Sequence, residues 1–172
     1  GVPVEPDPRV GRHGQSLVVA DERSRGHARQ PLTVLGERAV VPGGDTGHVE
    51  VVEVRYDPAV IDYRTLLQAF FAIHDPTTPD RQGNDVGTQY RSAIFFANDE
   101  QKKVAEAYVA QLNAAKVYKK PIATKIDKLD AFYAAEDYHQ DYLTLHPNQP
   151  YIVFNDIPKV EALKKIFADN YI

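Results

Sequence analysis

"HVEVVEVRYDPAVIDYRTLLQAFFAIHDP", residues 48–76, changes its hydrophobic period once, and that change decides the fold class. Over the first part Glu50, Val52, Val54 and Tyr56 share one pleat face. Val49, Val51, Glu53 and Arg55 take the other, which is the period of two of a strand. "YDPAVI" turns the chain and Asp62 is placed to cap a helix. Tyr63, Leu66, Leu67, Phe70, Phe71 and His74 then recur every third or fourth residue along one side. Pro76 ends that helix, and His74 before it reads as a C-terminal cap interacting with the helix dipole.

Outward from this unit, "YRSAIFFA" at 90–97 is dense enough in apolar residues to be a central strand. Asn98 or Asp99 opens a helix through "DEQKKVAEAYVAQLNAAKVY", with Val104, Tyr108, Leu112 and Ala115 inward. "PIATKI" at 121–126 predicts a third strand, and "LDAFYAAEDYHQDYLTLH" at 129–146 a further helix. The remaining tail predicts coil with two prolines and a short helix from about Pro158. Strand alternating with helix in a chain this size argues an α/β (α+β) fold: one two-layer domain, a central mixed sheet with helices packed on one face. The organisation expected is an irregular segment at 1–45, an α/β core at 46–145 and a C-terminal tail at 146–172. The first segment has only brief apolar runs, "LVVA" and "AVVP", enough for one or two short strands.

The 24 acidic and 20 basic side chains leave a net charge of −4, and the lysines are dispersed, which disfavours a nucleic-acid partner. No apolar run approaches the roughly 20 residues that span a bilayer, so no membrane partner is expected and a cytoplasmic monomer is the working expectation. The 172 residues contain no cysteine, methionine or tryptophan. Disulfides, thiolate metal sites and a thiol nucleophile are thereby excluded from this stretch of chain.

Three groups of residues carry candidate chemistry. Glu50 shares a pleat face with Val52 and Val54, and a carboxylate taken from water has a raised pKa and becomes a proton donor near neutrality. The competing reading leaves Glu50 beyond the sheet edge, solvated or paired with a cation. "GNDVGTQY" at 83–90 sets Asn84, Asp85, Gln89 and Tyr90 at the mouth of a buried strand. Its two glycines suit a tight turn with positive φ, and turn formation alone accounts best for Asn84. "EDYHQ" at 136–140 contains His139, for which a solvated or capping place is the commoner outcome. No pair among His48, Glu50, His74, His139 and His146 has HxxxH or HExxH spacing, and no metal is expected.

"GDTGHVEVVEVRYDP", "FFAIHDPTT", "DRQGNDVGTQYRSAIFF" and "FYAAEDYHQDYL", in this order and at these intervals, resemble the peptide methionine sulfoxide reductase A family. "HPNQPYIVFNDIPKVEALKKIF" resembles one form of that family's C-terminus, so the likeness runs from about Gly44 to Phe167. The resemblance implies thiol-dependent reduction of the S epimer of methionine sulfoxide, free or in proteins, with no bound cofactor and an external thiol reductant of thioredoxin type. It implies that Glu50 protonates the sulfoxide oxygen, that Tyr90 hydrogen-bonds it and that Asp85 supports the pocket. His139, Gln89 and Asn84 would take substrate-binding or supporting places.

The family's nucleophile is a cysteine in a Gly-Cys-Phe-Trp motif, and that motif is absent from residues 1–172. Residues 1–43 resemble the family only in scraps such as "GHARQP". A reading-frame change upstream of Gly44 and a real loss of the thiol both fit this pattern. The expectation is a reductase by family that does not turn over as written. The alternative is a binding module for methionine or its sulfoxide.

Overall fold

The computed structural model describes residues 49–83, 85–132 and 142–168, together with the backbone of 16–21 and 32–38. The alternating stretch is a strand, β3 (Glu50–Tyr56), in a five-stranded sheet. Its companions are β1 (Ser16–Asp21), β2 (Leu32–Arg38), β6 (Ala93–Phe96) and β7 (Lys125–Lys128), in the order β2-β3-β1-β6-β7. β1 runs parallel to both β3 and β6, β7 runs parallel to β6, and β2 is antiparallel to β3. The sheet is therefore mixed, as expected. A separate two-stranded ribbon pairs β4 (Arg81–Gln82) with β5 (Asp85–Val86).

Helix α1 (Tyr63–Ile73) begins where the sequence places its cap: the Thr65 amide donates to the Asp62 carboxylate at 2.7 Å. Its apolar side buries Tyr63, Leu66, Leu67, Phe70 and Phe71 against Val54, Tyr56 and Ile94 of the sheet. Removing such side chains from water contributes roughly 1.5–3 kcal/mol each as an upper bound, and this contact is the main core. Helix α2 (Asp99–Ala114) is capped by Asn98, which accepts from the Gln101 amide at 2.9 Å, and carries Asp99 and Glu100 in its first turn where the helix dipole favours them. The Phe71 and Tyr108 rings, 5.7 Å apart, join α2 to α1. Ala105 is the fully buried contact of α2, whereas Ala115, expected inward, is its exposed C-cap.

Three expectations are corrected. The third strand starts four residues later than "PIATKI". The preceding backbone is bonded elsewhere, Ile122 N–H to the Asn113 carboxamide at 3.0 Å and Ala123 N–H to the Pro76 carbonyl at 2.7 Å. Leu129–Phe132 is not helical, because the Leu129 amide extends the sheet to the Phe96 carbonyl at 2.9 Å. Leu129 and Phe132 then pack with Phe95 on Val49 and Val51, so the second sheet face is covered by non-helical chain. Among the described residues only Tyr142–Leu145 (α3) of the helix expected over 129–146 is helical. The last helix, α4 (Ile157–Ile166), is preceded by a π-helical turn at Ile152–Asp156, so helical winding begins before Pro158. Among the described residues of 1–45 the strands are β1, which contains "LVVA", and β2; "AVVP" lies outside the described residues.

Candidate active site

The β1 registers put Val52, Leu17 and Ile94 in one row across three strands. Two residues back from Val52 and Ile94 stand Glu50, the first residue of β3, and Ser92, just before β6; the pleat puts Glu50 on the side of Val52 and Val54, which meets α1. They are two strand spacings apart, roughly 10 Å. α1 returns antiparallel to β3, so its C-terminal end arrives at this same end of the sheet. The loop from Asp75 to Arg91 consequently stays there, and it carries Asp85, Gln89 and Tyr90.

Local bonding stiffens that loop. Gln82 is buried and clamps the Asp75 main chain, accepting from its N–H and donating to its C=O, both at 3.3 Å. Thr78 Oγ1 donates to the Arg81 carbonyl at 2.7 Å. Opposite Gln82 across the ribbon is Asp85, and Gly83 takes φ 59° where the two short strands reverse. A 3-10 turn, Thr88–Tyr90, follows: the Tyr90 amide donates to the Gly87 carbonyl at 3.0 Å and the Arg91 guanidinium to the Thr88 carbonyl at 2.7 Å. Tyr90 thus ends a turn instead of beginning the strand, which starts at Ala93.

A buried polar group lies behind the loop. His74 caps α1 by donating from Nδ1 to the Phe70 carbonyl at 2.6 Å, and its Nε2 lies 2.8 Å from Ser92 Oγ. Ser92 Oγ is in turn 2.8 Å from Thr124 Oγ1. Burial pulls the His74 pKa down to about 4, an effect that the Phe70 carbonyl and Asp75 oppose and Lys159 reinforces. His74 is thus the C-terminal cap that the sequence suggests, made as a neutral hydrogen bond. Lys159 of α4 is itself buried, with Nζ 3.5 Å from Asp156. Burial lowers its pKa while the carboxylates of Asp156 and Asp85 raise it, so the last helix sets a cation within electrostatic reach of Asp85.

Glu50, Asp85, Gln89 and Tyr90 are all half-buried at one end of the sheet. Gln89 folds its carboxamide over Gly87, where φ is +147°. Asn84 and His139 lie outside the described residues. Ser92, Thr124, Gln82 and Lys159 were not singled out from the sequence. Each is a lone polar residue in an ordinary-looking context, and only their shared burial distinguishes them.

A profile of the peptide methionine sulfoxide reductase family matches residues 38–171. The chain belongs to the peptide methionine sulfoxide reductase family. MsrA 2 of Mesorhizobium japonicum is 54% identical over 129 residues, 74% of this chain and 66% of that protein. An MsrA of Thermus thermophilus is 54% identical over 124 residues, 72% of this chain and 69% of the relative. The chain thus spans about two thirds of the length of these methionine sulfoxide reductases. The structure of reduced Mxr1 from Saccharomyces cerevisiae superposes with a TM-score of 0.55 at 35% identity, covering 73% of this chain and 75% of that one. Methionine sulfoxide reductase A of Corynebacterium diphtheriae gives 0.52 at 34% identity, covering 69% and 64%. These neighbours share the mixed α/β architecture. Among the described residues no helix is long and apolar enough to cross a membrane.

Proposed function

We propose that these residues form the oxygen-polarising half of a reductase for the S epimer of methionine sulfoxide, free or in proteins. The observation that carries the reading is family membership over residues 38–171 combined with Glu50 and Tyr90 at one end of one sheet. In this reading Glu50 gives a proton to the sulfoxide oxygen and the Tyr90 hydroxyl donates a hydrogen bond to it. Asp85 supports the pocket, and Gln89, Asn84 and His139 line or brace it. Donors aimed at this oxygen stabilise the charge that develops there as the S–O bond breaks.

Reduction also needs an electron pair delivered to sulfur. A thiol RSH converts R₂S=O to R₂S and becomes RSOH, and two further thiols return it to RSH, leaving as a disulfide with release of water. Residues 1–172 contain no cysteine, so the attacking thiol has to come from outside them. The recycling thiols would come from a thioredoxin-type partner, and the protein would act as a cytoplasmic monomer without a bound cofactor.

The 172-residue chain, incubated with a methionine S-sulfoxide peptide and dithiothreitol, is expected to give no burst of thioether above the protein-free control. A burst would refute the division into two halves. The absence of the thiol also favours a second reading, a module that binds methionine sulfoxide without reducing it. Calorimetric binding of N-acetyl methionine sulfoxide that is lost in Glu50→Gln and Tyr90→Phe, with no burst, would support that module.

A further inference from the structure

We infer that Ser92, held by His74 and Thr124, is a positioning residue for Tyr90, and that this three-residue chain sets where the Tyr90 hydroxyl points. The inference rests on the proposed function only for what Tyr90 touches. The positioning itself stands on geometry in the unliganded protein.

Each link has a single allowed direction. The Phe70 carbonyl can only accept, so the proton of His74 sits on Nδ1. His74 is 4% exposed and held neutral by burial, which makes Nε2 an acceptor. The Ser92 hydroxyl, 2.8 Å away, therefore donates to it, and the Thr124 hydroxyl donates to Ser92 Oγ. The Ser92 carbonyl also accepts from Lys125 N–H at 3.0 Å. A residue 2% exposed is thus tied to the end of α1 through its hydroxyl and to the start of β7 through both hydroxyl and carbonyl.

Tyr90 is two residues upstream with little slack between. Arg91 is extended at φ −64° and ψ 146°, and its guanidinium grips the Thr88 carbonyl at 2.7 Å. The Tyr90 amide is bonded to Gly87 at 3.0 Å. The turn is thus a stiff unit, tied upstream by the Gly87 amide on the Asp80 carbonyl at 2.9 Å and downstream, on the sheet side, by Ser92. Removing the Ser92 hydroxyl leaves that end held by its carbonyl alone, without altering any group that would face a substrate.

The full 172-residue chain is labelled with ¹³Cζ tyrosine and the Tyr90 resonance assigned by its loss in Tyr90→Phe. In unliganded Ser92→Ala and in the near-isosteric Thr124→Val, both checked for a native circular dichroism spectrum, that resonance is expected to shift or broaden. Calorimetry with N-acetyl-L-methionine S-sulfoxide is then run as a double-mutant cycle. Ser92→Ala should weaken binding about fivefold, the size of one neutral hydrogen bond. In the Tyr90→Phe background the same substitution should change affinity by less than about twofold, because the two residues act through one hydroxyl. An unmoved Tyr90 resonance in a folded variant overturns the inference, as does an equal loss of affinity in both backgrounds. A shifted resonance in a protein that binds no sulfoxide would leave the positioning standing and remove the proposed function instead.

Discussion

His74 shows how burial decides a residue's chemistry. Its neighbours in sequence, Ile73 and Asp75, say helix end, and the helix dipole would favour an imidazolium there. Desolvation outweighs that preference and lowers the pKa from 6.5 to about 4. The sign of the consequence follows directly. Between those two values the unfolded chain binds a proton that the folded one refuses, so stability is fully present above about pH 6.5 and is lost as pH falls toward 4. At about 1.4 kcal/mol per pH unit, the loss is on the order of 3 kcal/mol. Urea unfolding at pH 7 and pH 4.5 should show this decline in the parent chain. His74→Gln, although less stable at neutral pH, should show a shallower decline, and parallel slopes in the two proteins would exclude His74 as the source.

At the scale of elements, the turn that carries Tyr90 depends on Gly87. Its φ of +147° is one that side chains rarely adopt, and a Cβ there would run into the Gln89 carboxamide. The carboxamide is a movable end, so the backbone term decides the cost. Gly87→Ala is expected to destabilise the protein by about 1–3 kcal/mol in thermal or urea unfolding. A cost no larger than that of an exposed Gly→Ala change would show that the turn relaxes freely. The ribbon before it, Arg81–Gln82 with Asp85–Val86, illustrates what propensity alone misses. "GNDVG" signals a reversal through its glycines and Asx residues, but the pairing on either side is held by Gln82 reaching back to Asp75. The displaced β7 has a similar origin, since "PIATKI" has strand composition and its first residues are bonded to α2 and to Pro76 instead.

At the scale of the molecule, β1 joins the two halves of the sheet, bonding to β3 along one edge and to β6 along the other. Without it β2–β3 and β6–β7 would each present an unpaired edge, and the row that joins Val52 to Ile94 through Leu17 would be broken. A chain lacking residues 1–21 is therefore expected to lose cooperative thermal unfolding followed by circular dichroism. A sharp transition in that truncation would show that α1 and α2 alone hold the two halves together.

The sequence by itself determined the α/β class, the cap at Asp62, the buried side of α1, the mixed sheet and the family. It also marked Glu50, Asp85, Gln89 and Tyr90 as residues to watch. These are local matters, written in period, capping chemistry and contiguous motifs. Only the tertiary structure decided that Glu50 and Ser92 stand at the same end of the sheet, that His74 is neutral, and that Lys159 of α4 stands near Asp85. The physical reason is that desolvation and charge coupling act through space. Residues separated by 18 and 32 positions, such as His74 with Ser92 and Ser92 with Thr124, acquire their hydrogen bonds from packing that no stretch of sequence displays.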